Sequence, residues 1–495
     1  MLTEKVERRA RALSGLPRPV DHSLPWWKRT LRNRWFWIVV VLLIVYAAAL
    51  AQTYLVFGAG LRHEIEAVTT ELNSPTTLTW AQFNEALKGS VFWAGLTAVA
   101  LVLVFLLIDR LRPTTWTMKA VALGWGACVA TLVSLYLNTW MSSLINIQGP
   151  GDPTSSARAA IFVAPFVEEA SKATVLFLLA MSVRYRIVSA LQSVTLAGLS
   201  AVGFAFTENI IYYTRPFIYA AKITGVDPDA ARLHVVQLRG LMTCFGHPLF
   251  TTMTAIGLAV ALTHRSKLVR ILAPLSGFLC AVTGHMLFNG MASFFGDPMP
   301  LVIGGWLGVL FVLIFLWRRF RNERKSIAAR LDDYVRMGWL EPRDPLIFAH
   351  ERARIRLAIA ALLRGPGTFI ATLALQRTIT ELAYLRAAMT RGTVDAIGDE
   401  RARELLFEIR ALRATALFEP DGLRIRPENW HLPRFTWLRE RLARRRASVA
   451  LPPNGFPSYG PGGQRAPLPV GQVPVLQPTT SGPTASYPQG GTFNR

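Results

Sequence analysis

The chain has 495 residues, of which 52% are hydrophobic and 17% charged, and its mean hydropathy is +0.31. That balance excludes an ordinary water-soluble protein and, with apolar runs near twenty residues, puts the chain in the integral membrane class. The net charge of +23 is the kind of excess that cytoplasmic loops and tails carry beside anionic lipid, and no recognition motif turns it toward nucleic acid.

Residues 1–34 form a basic tail with Lys5, Arg8, Arg9, Arg11, Arg18, Lys28, Arg29, Arg32 and Arg34. The apolar run from Trp35 to Phe57 exceeds a signal-peptide core and ends in AQTYLVF, a poor cleavage site, so it reads as a retained helix. The expected fold is all-α, a polytopic bundle of about eight transmembrane helices. They fall near 35–57, 91–109, 119–145, 158–182, 188–213, 239–263, 269–294 and 299–317, with a core at 158–294. The connections DRLRPTTWTMK, RYR and HRSKLVR and the stretch RRFRNERK are basic, whereas the first connection carries Glu64, Glu66, Glu71 and Glu85. The alternation predicts both termini in the cytoplasm of a cell-membrane protein. Connection 214–238 is mixed in charge and fits the pattern least. Cys128, Cys244 and Cys280 lie in apolar segments without CxxC spacing, which argues against a disulfide framework or a thiolate zinc site.

Beyond Arg318, residues 318–446 read as a helical cytoplasmic domain. Its amphipathic segments are ERARIRLAIAALLR, FIATLALQRTITELAYLRAAM and ERARELLFEIRALRATAL. Residues 447–495 are rich in Pro and Gly and read as a disordered tail able to recruit cytoplasmic partners. No internal repeat is evident.

Ionisable side chains within a bilayer are costly, and here they are few. The fourth span holds Glu168, Glu169 and Lys172, and the fifth holds Glu208 followed by Asn209. The sixth holds His247, and the seventh His285 with Asn289 one turn on. At a rise of about 1.5 Å per residue the two carboxylates and two imidazoles fall between the outer quarter and the midplane, so antiparallel neighbours can bring them into one layer. Glu168 and Lys172 are four apart and share a face. Glu169 is turned about 100° from Glu168, so one of the pair faces a cavity and the other is tied to Lys172 or a neighbouring helix. Gly198 and Gly203 are expected to permit close helix approach, and Pro248 to loosen the helix around His247. Taken singly, Glu208 would only bond a neighbouring helix about half the time, and a lone histidine is more often structural than catalytic. Together they divide almost evenly between hydrolysis and ion-coupled transport, and the dry inner half favours a hydrolytic site reached from the outer side.

The motifs EEASK at Glu168 to Lys172, GFAFTENIIY at Gly203 to Tyr212, GHPLFT at His247 and GHMLFN at His285 to Asn289 resemble those of the PrsW family of intramembrane proteases. That family is similar in turn to the CAAX-prenyl endopeptidases and bacteriocin-processing enzymes, which place a histidine where this chain has Glu208. The resemblance implies site-specific cleavage of a membrane-bound protein, with a single-pass anti-sigma factor as the known substrate type. It points to Glu168, Glu169, Glu208, His247, His285 and Asn289 as catalytic residues, supported by Lys172 and Asn209.

Two mechanisms stay open at this level. In one, His247, His285 and Glu208 bind zinc or another divalent metal, and the remaining glutamate is the base. In the other, Glu168 with Glu208 or His247 activates water directly, and His285 with Asn289 donates to the oxyanion. A proton-coupled transporter and a non-catalytic scaffold are the alternatives to an enzyme.

Overall fold

A backbone in lipid has no water to satisfy its N–H and C=O groups, so a chain of this composition is expected to answer with helices. A computed structural model describes residues 25–109, 114–144, 155–183, 189–264, 266–294, 297–390 and 397–418, and among them every regular element is helical. The basic tail before residue 25 and the Pro/Gly-rich tail lie outside the described residues.

Short α1 (Trp26–Arg32) leads into α2 (Arg34–Glu71) and α3 (Trp80–Ile108). The broken helix α4 (Trp116–Leu144) carries a π-helical segment at Trp125–Ala130. Then come α5 (Ser155–Phe162), α6 (Ala164–Val183), α7 (Ala190–Tyr219), α8 (Pro228–Val235), α9 (Gly246–Thr263), α10 (Lys267–Phe294) and α11 (Met299–Arg336). Among the described residues, seven helices or helix pairs are long and apolar enough to cross a membrane. The expected span at 158–182 is not among those seven. Glu168, Glu169 and Lys172 give α6 three charges, and Pro165, unable to donate a backbone hydrogen bond, coincides with a break at Val163 between α5 and α6.

Several helices outrun the expected spans. α2 and α3 extend past the apolar runs, and Thr79 caps α3 in a reciprocal box with Gln82. Their ends pack Phe57, Leu61, Ile65, Leu78 and Phe83 against Ile218 of α7, so much of the acidic first connection is folded helix. The mixed connection at 214–238 is mostly helical too. α7 runs through Pro216 into a π segment at Ala220–Thr224, and Gly225 turns the chain with φ +68°. α8 then begins at Asp227 and Pro228, a capping side chain followed by proline in the first turn.

α7 is the central helix, with 78% of its most apolar window buried against 11% for α2 and for α3. Glycines let its neighbours come close. A Cβ on Gly203 would lie 2.0 Å from the Leu123 carbonyl oxygen, one on Gly126 would lie 1.8 Å from the Ser200 carbonyl oxygen, and one on Gly198 would enter the Phe105 ring. The expected role of Gly198 and Gly203 is thus met.

α11 continues without interruption from the apolar span into the helical domain, so no hinge separates the two at residue 318. There it joins α12 (Asp344–Phe348), α13 (Glu351–Leu362), α14 (Pro366–Thr390) and α15 (Ile397–Leu412) around Leu331, Phe348, Leu357, Leu375, Ile379, Leu382 and Leu405. The three amphipathic segments are helices, and the middle one is a bundle helix whose Glu381 pairs with Arg401. Burial pushes the Asp344 carboxyl above its ordinary value, and the Arg413 guanidinium bound to it pulls the other way.

Replacing Gly203 by Ala forces backbone apart from backbone and is expected to lower stability by about 1–3 kcal/mol, the range for overpacking. Gly60→Ala, with nothing within 4 Å of the added carbon, should not. Denaturant unfolding of both variants in detergent checks the contrast.

Candidate active site

Four helices and one π-helical segment bring the polar residues together. α6 supplies Glu168, Glu169 and Lys172, and α7 supplies Phe204, Glu208 and Asn209. Arg239 comes from the π segment Val236–Met242, His247 and Thr251 come from α9, and His285 and Asn289 come from α10. The expected continuous span at 239–263 is broken at Thr243–Phe245, immediately before His247. Pro248 therefore sits in the first turn of α9, where a missing N–H costs nothing, so it does not loosen a helix interior as expected.

The adjacent glutamates divide their work as their rotation demands. Glu169 is fully buried and fixed on three sides. Its Oε1 lies 2.7 Å from Lys172 Nζ and 3.1 Å from His285 Nδ1, and its Oε2 accepts from Thr251 Oγ1 at 2.7 Å. Glu168 is also buried, yet its Oε2 has no hydrogen-bond partner among the described residues. That oxygen stands 3.9 Å from His247 Nδ1, 3.9 Å from His285 Nε2 and 3.6 Å from Lys172 Nζ.

Each imidazole is held from behind by a carboxylate. His285 Nδ1 meets Glu169, and His247 Nε2 lies 2.7 Å from Glu208 Oε2. A proton on each of those nitrogens leaves the opposite nitrogen with a lone pair facing Glu168. Rings of Phe250 and Phe204 pack on His285 and His247 and fix their planes. Lys172 Nζ stands 4.4 Å over the Phe204 ring and reaches His247 Nδ1 at 2.9 Å.

One donor atom each from Glu168, His247 and His285 lie within 4.8 Å of one another. Two histidines and a carboxylate, each histidine backed by a second carboxylate, are the donor set of a catalytic divalent metal. The orphaned Glu168 Oε2 fits the same use. Lys172 contends with a metal for the His247 lone pair.

The structure differs from expectation at three residues. Glu208, expected as a metal ligand, stands behind His247 and receives Arg239 Nη2, and Glu168 takes its place in the donor set. Asn289, expected beside the oxyanion, donates its Nδ2 to the Ala160 carbonyl at 2.8 Å and ties α10 to α5. With Nδ1 of His285 donating to Glu169, Nε2 is a lone pair rather than an oxyanion donor. Asn209 supports the site through Arg239, whose Nε it accepts at 3.2 Å. Sequence reasoning missed Arg239 because it falls at the edge of a connection of mixed charge. Its spacing of eight from His247 carries no helical signal once the helix is broken.

Compared with known families, residues 114–318 match the PrsW family intramembrane metalloprotease, a stretch that holds every residue of the cluster. No curated protein and no solved structure matches the chain.

Lys172→Met would leave the Glu169 carboxylate buried without its cation. Breaking a buried pair from one side is expected to cost about 3–5 kcal/mol. Thermal unfolding in detergent should therefore show a large loss of stability.

Proposed function

We propose, on the match of residues 114–318 to the PrsW family of intramembrane metalloproteases, that the chain is an endopeptidase that hydrolyses a peptide bond of a membrane-bound protein at Glu168. The observation that carries the reading is the orphaned, buried Glu168 Oε2, which faces the two carboxylate-backed imidazoles at 3.9 Å each.

Peptide hydrolysis needs a group to take the proton of the attacking water and return it to the leaving amine. Glu168 is placed for both transfers because no hydrogen bond claims its Oε2. Glu169, Lys172 and Thr251 do not touch the reacting atoms. They hold α6 and the His285 ring in register, so that little reorganisation accompanies the reaction. Glu208 does the same for His247. A divalent metal held by Glu168, His247 and His285 would make Glu168 its ligand instead of the base, and would supply Lewis-acid polarisation of the carbonyl and a more acidic bound water.

The broken helix before His247 is a feature that ion-coupled transport would share. Below the cluster, however, Leu196, Leu199, Val202, Ala255 and Leu258 form a continuous apolar core, which supports a site open from one end only. With α6, twenty residues long and its charges buried in the bundle, crossing as the eighth span, we take that end to be the outer one, with both termini cytoplasmic, and the substrate to be a single-pass membrane protein of the anti-sigma-factor kind. In support, Ser189 at the start of α7 contacts the helical-domain end of α11, and Glu208 lies nineteen residues along α7, roughly 28 Å away at 1.5 Å per residue.

Glu168→Gln is expected to lower turnover of a transmembrane substrate by about 10²–10⁴-fold, the usual range for a lost general acid–base group, with unfolding unchanged. Cleavage in proteoliposomes at the wild-type rate would sink the reading. Metal analysis of purified protein should find one divalent ion, lost in the His285→Ala variant. For orientation, reporter fusions at Glu71 and Arg321 should report opposite sides of the membrane.

A further inference from the structure

Arg239 is more exposed than the two residues beside it in the cluster. Its side chain is 28% accessible, against 16% for Glu208 and 14% for His247, which places it at the mouth of the site. Three contacts fix its guanidinium. Nη2 donates to Glu208, Nε donates to Asn209, and the group lies 3.7 Å from the centre of the Tyr212 ring. The Nη1 edge makes no hydrogen bond to any described residue.

A transmembrane substrate presents its own difficulty. Its peptide groups are closed into helical hydrogen bonds, and cleavage requires at least one turn to open. The carbonyls so released stand in a medium with little water, where an unpaired acceptor is costly. A donor already fixed at the site mouth removes that cost without ordering a flexible side chain, and a planar guanidinium with a spare edge is such a donor. Pairing with Glu208 alone would use one edge and leave the other without purpose. We infer that Arg239 is a substrate-binding residue, whose Nη1 edge receives a backbone carbonyl of the segment unwound for cleavage. This deepens the proteolytic reading and rests on it.

The test uses the full chain in proteoliposomes with a fluorogenic transmembrane peptide. Arg239→Lys keeps a cation for Glu208 but loses the second edge. KM is expected to rise about tenfold, the loss of one charge-assisted hydrogen bond, while kcat stays within about threefold. A wild-type KM for Arg239→Lys overturns the inference. Should that variant fail to fold, Tyr212→Leu at a 44% exposed position frees the guanidinium plane and should raise KM by about threefold or more; an unchanged KM again overturns it. Peptide binding in the Glu168→Gln background separates the two readings. Equal cleavage by wild type and Glu168→Gln defeats proteolysis at Glu168. Equal Kd for Glu168→Gln with and without Arg239→Lys defeats the role of Arg239 alone.

Discussion

The interaction on which the site depends is the wholly buried pair of Glu169 and Lys172. Neither charge would be tolerated alone in an apolar bundle, and together they remain costly unless their other hydrogen-bonding positions are filled. They are filled from three directions. Thr251 of α9 donates to Glu169, His285 of α10 meets its other oxygen, and Lys172 reaches His247. A charge placed on α6 by sequence is thus satisfied only when α9 and α10 are docked in one register. The polar network that makes burial of the pair acceptable is the same network that aligns the imidazoles.

Helical irregularity clusters around this network. α4 has its π segment where Trp125 donates to the Ser171 carbonyl and Thr207 donates to the Ala127 carbonyl. The strand of chain leading to His247 has another π segment and then a break. Such departures from regular helix re-aim side chains and free backbone groups, and they occur frequently at functional sites. A further π segment, Ala220–Thr224, lies away from the network at the end of α7, and the helices are closely packed elsewhere, with Gly126, Gly198 and Gly203 bringing α4, α7 and α3 near enough to exclude space.

Besides the continuous α11, a partly buried carboxylate joins the helical domain to the bundle. Glu323 on α11 accepts from Ser189 Oγ at 2.6 Å and from Tyr384 of α14 at 2.7 Å. Ser189 is also the N-cap of α7, the helix that carries Glu208. Packing in the domain therefore meets the start of the central helix directly, and the uninterrupted α11 makes the connection stiff.

The membrane class, most spans and the convergence of Glu168, Glu208, His247 and His285 were legible in the sequence. Hydropathy reports which stretches can lie in lipid, and a charge inside such a stretch requires partners at the same depth. Helical periodicity also required Glu168 and Glu169 to point apart. It did not say which faced inward, because rotation within one helix is local whereas the position of its neighbours is not. Only the docked α9 and α10 decided that Glu169 anchors and Glu168 is free, that Glu208 stands behind His247, and that Asn289 is spent on the Ala160 carbonyl. The helical ends of α2 and α3 escaped notice because hydropathy falls where a helix leaves the bilayer, although its backbone bonding does not. Arg239 escaped for a related reason: a π segment and a chain break destroy the spacing that would have aligned it with the site, so its place is a property of the tertiary structure.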